Sequence, residues 1–531
     1  MLIPSRKPLT KFTPKLFEMV LALASGVLMG MTFAPVEAWY LAWVALAPLW
    51  YLGCRHQGFT PILYALCWGI GCYGLGLSWL FGIHPMMWMG VSYLESLGIA
   101  TFCVTFVTLW GASLAVLWML SLQLINSKSY LNPLVRVVLG TACWCGLEEL
   151  YSLTNLWWTS LAMSQSPHNL DILHLGQLAG PSTVTGAIVL FNGLIAEGYL
   201  AIECGRHLKI FQKIRYGLPY FGSAIASLII LHLIGSSLAN RALIQIDPGL
   251  KIGVIQGSIG NEIRHYQSGY DLAMERYTNG YRSLVEQGVA AVVTPETALP
   301  YTESQIKRTP FYQAILAQKV PVFLGGFAQA GEKMTNSILT IGGDGRVIGR
   351  YDKSKLVPLG EYIPFEQYVG KFISTISPFE LNLIAGNFDQ IVHTPFGNFI
   401  FGICYDSAYP ENFRRQAQTG ELIITASNDA HYSSGMPPQH HALNLMRAIE
   451  TDRWMVNASN TGYSTIIDPH GRTQWISKLD EFTVHADRVY RRSTQTLYVR
   501  YGNWLTPLLF AIGLILDRFS NKQQQPIQIR K

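Results

Sequence analysis

The sequence predicts a multi-span α-helical membrane bundle followed by a separate α/β unit. Three observations predict it. Half of the 531 residues are apolar and only 14% are charged, against roughly 25% charged in an average soluble protein. Apolar runs approaching the ~20 residues needed to cross the hydrocarbon core crowd the chain before residue 240. Beyond that point the pattern changes to short β-branched runs separated by turn residues, with helical spacing between them.

Taken in order, seven apolar segments lie near 15–35, 38–53, 61–82, 89–123, 134–151, 182–202 and 218–238, and a weaker eighth lies near 501–516. The fourth is longer than a span requires. Basic residues before the first run imitate a signal peptide, but the spans behind it predict a retained anchor. Lys and Arg are retained on the cytoplasmic side of short loops, and here they alternate. Arg6, Lys7, Lys11 and Lys15 precede the first span, and Arg55 follows the second. Lys128 and Arg136 flank the fourth-to-fifth connection, and Arg206, Lys209, Lys213 and Arg215 precede the seventh span. The intervening loops 35–38, 84–88 and 152–181 have none. A cytoplasmic N-terminus and seven spans put 239–500 outside, and the eighth span returns Arg518, Lys522, Arg530 and Lys531 to the inside. The expected units are therefore 1–238, 239–500 and 501–531.

In the outer unit, residues 252–255, 290–293, 320–324, 399–403 and 422–425 read as buried strands, and 270–287 and 439–453 as helices. Gly343-Asp344-Gly345 and Pro395-Phe396-Gly397 read as hairpin turns. The net charge of +6 falls in clusters beside apolar segments rather than on one basic aromatic surface, which argues against nucleic acid as a partner. Seven cysteines, Cys54, Cys67, Cys72, Cys103, Cys143, Cys145 and Cys204, precede residue 240, and Cys404 stands alone in the polar half. No disulfide can form within that half, and no C-x-x-C metal spacing occurs.

Three residues at or just beyond strand-like runs carry reactive chemistry: Glu296, Lys353 and Cys404. A thiolate is a strong nucleophile, a carboxylate can take its proton, and an ammonium can stabilise the oxyanion formed on a carbonyl. Taken singly, each has a plainer reading: a buried small hydrophobe for Cys404, a solvated loop residue for Glu296, a surface pair for Lys353 with Lys355.

Together, their surrounding segments weigh against the plain readings. Thr294-Pro295-Glu296-Thr297-Ala298, Tyr351-Asp352-Lys353-Ser354-Lys355-Leu356-Val357-Pro358-Leu359-Gly360-Glu361-Tyr362, and Gly402-Ile403-Cys404-Tyr405-Asp406 occur in that order. Ser427-Asn428-Asp429-Ala430, Gln439-His440, Arg447-Ala448-Ile449-Glu450, Asn460-Thr461-Gly462 and Asp468-Pro469-His470-Gly471 follow. Over about 250–475 the chain resembles the nitrilase superfamily, which implies an αββα sandwich with Glu, Lys and Cys at three strand ends. Gly76-Leu77-Ser78-Trp79, Asn155-Leu156-Trp157-Trp158, Ser164-Gln165 and the run through Glu361 are similar to motifs of its membrane-bound branch, the bacterial apolipoprotein N-acyltransferases.

That resemblance implies acyl transfer from a membrane phospholipid, through a thioester on Cys404, to the α-amino group of the N-terminal diacylglyceryl-cysteine of a lipoprotein, with no cofactor or metal. Glu296 would be the base, and Lys353 with the Tyr405 backbone N–H would hold the oxyanion. Glu361, Asp406, Asn428 and His440 would support the site. The implied setting is the bacterial inner membrane. The chain departs from the family's pattern at Arg264-His265-Tyr266, where Lys-Trp is common, at Asp406 in place of Glu, and at His431 in place of an aromatic.

Other polar residues receive structural readings. Glu148, Glu149, Asn192, Glu197 and His232 are expected to serve helix packing or to lie at the interface. His440 is expected to support the pocket and His441 to lie at the surface, without ligating metal because no cluster of donors accompanies them. Phe365, Tyr368, Phe372 and Phe379 form an aromatic arm that core packing or membrane contact would explain. Two other functions compete. A membrane-tethered carbon-nitrogen hydrolase would use the same triad on a small amide in a closed pocket. A transporter or receptor would only bind, and would not need all three reactive residues.

Overall fold

In the computed structural model, the described residues are 15–127, 132–205, 209–245, 248–264, 266–362 and 383–522. Arg6, Lys7, Lys11, Lys128, Arg206, His265, the aromatic arm and the basic C-terminal residues Arg530 and Lys531 lie outside them.

The first part is helical throughout. Ser92 and Glu95 cap each other at the start of the helix Tyr93–Asn126, and Asn132 with Pro133 opens Pro133–Ser152. At 1.5 Å per residue the 34-residue Tyr93–Asn126 helix is about 51 Å long and exceeds a ~30 Å hydrocarbon core. Among the described residues, Tyr93–Asn126, Pro181–Cys204 and Gln212–Ala239 are long and apolar enough to cross a membrane. The segment expected as a second span, 38–53, is instead a short 3₁₀ turn, Trp39–Trp43, followed by the nine-residue helix Ala47–Arg55. That helix is about 13 Å long and cannot cross alone. Asn192 accounts for the break, since its carbonyl accepts from the N–H groups of Leu46 (3.0 Å) and Ala47 (2.9 Å). It thereby satisfies backbone donors that a continuous helix would have paired internally.

Bundle packing is close. A Cβ on Gly26 would sit 2.0 Å from the Trp68 carbonyl oxygen, so only glycine lets the helices Leu16–Gly30 and Thr60–Gly76 approach this far. Trp50, Trp118, Trp144 and Trp68 form a chain of ring contacts at 5.1–5.7 Å, an arrangement worth about 0.5–1.5 kcal/mol per pair beyond area burial. The polar residues noted in the sequence serve packing. Arg136 donates to Glu197 (Nε to Oε1, 2.6 Å), as does Trp50, and Glu148 accepts from Trp144, Thr185 and the Leu161 N–H. Glu149 accepts from Asn503, and His232 contacts Asn169.

The second part contains two six-stranded sheets. One has the order β12-β1-β2-β3-β4-β5, with β1 Leu250–Gln256, β2 Ala291–Val293, β3 Val322–Ala330, β4 Lys333–Ile341, β5 Val347–Asp352 and β12 Thr483–Val489. The other has the order β11-β10-β9-β8-β7-β6, with β6 Val392–Thr394, β7 Gly397–Ile403, β8 Ile423–Ser427, β9 Met455–Ser459, β10 Thr465–Ile467 and β11 Thr473–Ile476. Central strands are parallel, Ile252 opposite Ala291 and Ile400 opposite Ile423, as their unbroken apolar runs lead one to expect. Both expected hairpins form, joining β4 to β5 and β6 to β7. The last strand lies antiparallel to the first, with Leu250 opposite Val489.

The sheets meet through Phe323, Phe399, Phe401, Ile424 and Val456. Helices Gln267–Glu286 and Pro310–Gln318 cover the first sheet. Helices Pro410–Gln416 and Met436–Thr451 lie on the second, and their Phe413 and Ile449 share one hydrophobic core with bundle residues such as Trp157, Leu161 and Leu173. The layers therefore run helix, sheet, sheet, helix, with the bundle packed against the last layer, and the segments just beyond β2, β5 and β7 come together.

Candidate active site

Cys404 follows the buried apolar strand β7 and opens a 3₁₀ turn, Cys404–Ala408. Its φ is 47°, in the left-handed region that costs a non-glycine residue about 1–2 kcal/mol. The turn is locked by Asp406, which is fully buried. One carboxylate oxygen accepts from the N–H of Ile403 (2.9 Å) and the Tyr351 hydroxyl (2.9 Å). The other accepts from the N–H of Lys355 (2.8 Å) and the Ser354 hydroxyl (2.9 Å). Burial pushes this carboxyl above the usual range, while the hydrogen bonds and Lys353 oppose the shift. Asp406 thus fastens the turn that begins at Cys404 to the segment that carries Lys353.

Glu296 sits two residues beyond Thr294, after β2. Gly325 on β3 makes room there, because a Cβ on it would lie 2.0 Å from the Pro295 carbonyl oxygen. Lys353, just past β5, lies between two carboxylates, with Nζ 2.8 Å from Glu296 Oε1 and 2.9 Å from Glu361 Oε2. Asn336 on β4 completes the square, its Nδ2 donating to Glu296 Oε1 (2.7 Å) and Glu361 Oε1 (2.9 Å). Glu361 also accepts from the Val357 N–H (2.8 Å). Lys353 is 1% exposed, and a charge that deep survives only when paired. Burial opposes its charge, but Glu296, Glu361 and Cys404 outweigh it and hold the ammonium well above the usual lysine range.

The same field acts on the sulfur. Burial first, then the charges of Glu296 and Asp429, push the Cys404 thiol well above its usual range, while Lys353 and a backbone N–H of Asn428 pull it down. The resting group is a protonated thiol, and it needs a base to become a nucleophile. Asn428 contributes that backbone group, and its side chain accepts from Asn460 (3.1 Å).

Close to the sulfur, His440 Nδ1 and Asp429 Oδ1 are 3.0 Å apart. The Cys404 sulfur, an Asp429 oxygen and a His440 nitrogen all lie within 4.8 Å of one another. His440 thus lies beside Cys404 with other donors around it, contrary to the expectation that none accompany it. A metal held by this set would consume the nucleophile. His441 is half-buried rather than at the surface; burial pulls its imidazole down to about 4, and it is hydrogen-bonded to Thr473.

The family departures have local partners. Arg264 donates to the Thr297 carbonyl (2.9 Å) and the Glu296 carbonyl (3.3 Å), and also contacts the Thr297 hydroxyl, bracing the loop of the carboxylate. Tyr432, directly after His431, packs edge-on against Trp79 at 5.0 Å, and burial together with the nearby Cys404 pushes its phenol up. The sequence reading missed Asn336, the pairing of Asp429 with His440, and Gln439, whose carbonyl accepts from both Trp79 (3.0 Å) and Trp158 (2.9 Å). For Asn336 the signal was polarity inside an apolar run, at Thr335-Asn336-Ser337 in β4, whereas Asp429 and Gln439 lay in segments the sequence had marked without showing their partners.

The arrangement can perform nucleophilic acyl transfer: a buried thiol, a carboxylate, an ammonium and a backbone N–H after the nucleophile. Two family models match the chain, carbon-nitrogen hydrolase over residues 251–487 and apolipoprotein N-acyltransferase N-terminal domain over residues 25–194. The chain is 47% identical to an apolipoprotein N-acyltransferase of Nostoc sp., an alignment covering 92% of this chain and 96% of that one. It is 41% identical to the apolipoprotein N-acyltransferase of Synechocystis sp. over 92% and 98%, and 35% identical to that of Thermosynechococcus vestitus over 91% of each.

Proposed function

Since the chain belongs to the apolipoprotein N-acyltransferase family, we propose that it moves a fatty acyl chain from a membrane phospholipid, through Cys404, to the α-amino group of the N-terminal diacylglyceryl-cysteine of a lipoprotein. Glu296 takes the thiol proton and the sulfur attacks the ester carbonyl carbon. The carbonyl oxygen becomes an oxyanion held by the Lys353 ammonium and the Tyr405 N–H. Collapse breaks the ester C–O bond, the leaving oxygen takes the proton from Glu296, and a lysophospholipid departs from a thioester. The acceptor amine then attacks the same carbon. The C–N bond forms, the C–S bond breaks, and the amine proton passes through Glu296 to the sulfur.

The observation that carries this reading is Lys353 clamped between Glu296 and Glu361 beside a thiol whose burial keeps it protonated. Glu361, Asp406, Asn428 and His440 act by orienting these groups. Family membership favours transfer to an amine over hydrolysis of a small amide. The setting we propose is a bacterial inner membrane, with 1–238 as the bundle, 239–500 as the periplasmic catalytic unit and 501–531 as a returning helix and cytoplasmic tail. Both substrates then stay in the bilayer while their reacting groups meet at its outer surface.

Mass spectrometry of the intact protein, incubated in detergent with phosphatidylethanolamine, tests this. The expected result is one added acyl group on Cys404, absent in Cys404→Ser, that is transferred to the amine of a diacylated lipopeptide. Folded protein without an adduct would sink the phospholipid donor.

A further inference from the structure

Near Cys404 the two-sheet unit meets the helical region at several points, among them the loop of residues 153–158, which contacts Tyr405, Tyr409 and Tyr362. The loop is itself rigid: Trp110 of the helix Tyr93–Asn126 donates to the Leu156 carbonyl at 3.0 Å. From it, the Asn155 carbonyl accepts from the Tyr405 hydroxyl (2.9 Å), and the Trp157 N–H donates to that hydroxyl (3.2 Å). The Thr154 carbonyl accepts from the Tyr409 hydroxyl (3.1 Å), and the Asn155 amide donates to the Tyr362 hydroxyl (2.8 Å). Trp158 lies nearly parallel to the Tyr405 ring at 6.2 Å and 14°, meets His440 edge-on at 6.1 Å, and donates to Gln439 at 2.9 Å. The amide nitrogen of Gln439 donates to the Ala34 and Gly76 carbonyls, both at 2.8 Å, so it is anchored in the bundle from the other side.

These contacts fall on chain neighbours of the reacting groups. Tyr405 follows Cys404, Tyr362 follows Glu361, and His440 stands beside the sulfur. We infer that Trp158, with the loop that carries it, is a positioning element for acyl transfer: it fixes the Tyr405 N–H and the His440–Asp429 pair around Cys404, so the chemical step depends on the bundle even when the acyl donor is not a lipid. A donor-binding role alone would not place hydrogen bonds on the Tyr405 hydroxyl and a ring contact on His440. Displacing catalytic groups by about 1 Å can cost on the order of 100-fold in rate.

The inference rests on Cys404 being the nucleophile, and the test separates the two. Acylation of the full-length protein in detergent is followed by intact mass with a water-soluble short-chain p-nitrophenyl ester, for wild type, Cys404→Ser, Trp158→Ala and Trp158→Phe. The expected result is a roughly 10- to 100-fold lower kcat for Trp158→Ala with an unchanged KM for the ester. Trp158→Phe, which retains the ring but loses the donor to Gln439, should recover part of that loss. Wild-type kcat in folded Trp158→Ala overturns the inference and leaves the nucleophile standing. Where the alanine variant fails to fold, wild-type kcat in Trp158→Phe overturns it. An adduct that persists in Cys404→Ser, or none on wild type, overturns both.

Discussion

The charge around Cys404 sets opposite signs for its reactivity and its catalysis. Because Glu296 adds to the push that burial exerts on the thiol, Glu296→Gln removes a negative charge and lets the thiol ionise at lower pH. Iodoacetamide should therefore alkylate Cys404 faster in this variant than in wild type at any given pH near neutrality. Acyl transfer should fall by about 10²- to 10⁴-fold, the usual worth of a positioned base. Unchanged alkylation in the variant would mean that Glu296 does not bear on the sulfur, and slower alkylation that it acts there as a proton acceptor more than through its charge. The candidate residues Glu296, Lys353 and Cys404 stood out in the sequence because each lies in a distinctive local segment. Asn336 was not, because its role depends on register. Only when β4 lies beside β5 does its carbonyl meet the Lys353 N–H at 2.8 Å while its amide reaches two carboxylates. Asp406 shows the same limit. Its place beside Cys404 is visible in the sequence, but not the four donors it gathers from two segments far apart in the chain.

Among the helices, some buried polar side chains pair across elements. Arg136 and Glu197 join Pro133–Ser152 to Pro181–Cys204 and are nearly inaccessible, at 5% and 2% exposure. Arg136→Met should destabilise the detergent-solubilised protein by about 3–5 kcal/mol because it strands a buried carboxylate, whereas Arg136→Met with Glu197→Leu should recover most of the loss. Thermal unfolding of the two variants distinguishes these outcomes, and equal losses would count against the pair acting as a unit. Hydropathy marked segments that are helical, though among the described residues only three helices are long and apolar enough to cross alone, and it misjudged 38–53, for a physical reason. It scores apolar content and takes no account of Asn192, far along the chain, which pairs with the Leu46 and Ala47 N–H groups and so stabilises a break. The hairpins at 343–345 and 395–397 were readable because turn chemistry is local.

For the whole molecule, the proposed arrangement of compartments makes a labelling prediction. Cys204 is exposed at the end of Pro181–Cys204, beside a loop rich in Lys and Arg that the charge rule holds in the cytoplasm. Ser304 is exposed on the catalytic unit. A membrane-impermeant maleimide applied to intact spheroplasts should therefore label Ser304→Cys and leave Cys204 untouched until the cells are lysed; the reverse pattern would invert the orientation. The pairing of β1 with β12 has a consequence of another kind. Leu250 opposite Val489 brings the strand that enters the two-sheet unit and the strand that leaves it together at one edge. A unit whose ends emerge side by side can be spliced between two transmembrane helices without pulling them apart. The architecture is thus open to assembly in evolution by insertion of a ready-folded soluble enzyme into an external loop, after which only the contacts beneath it had to be acquired.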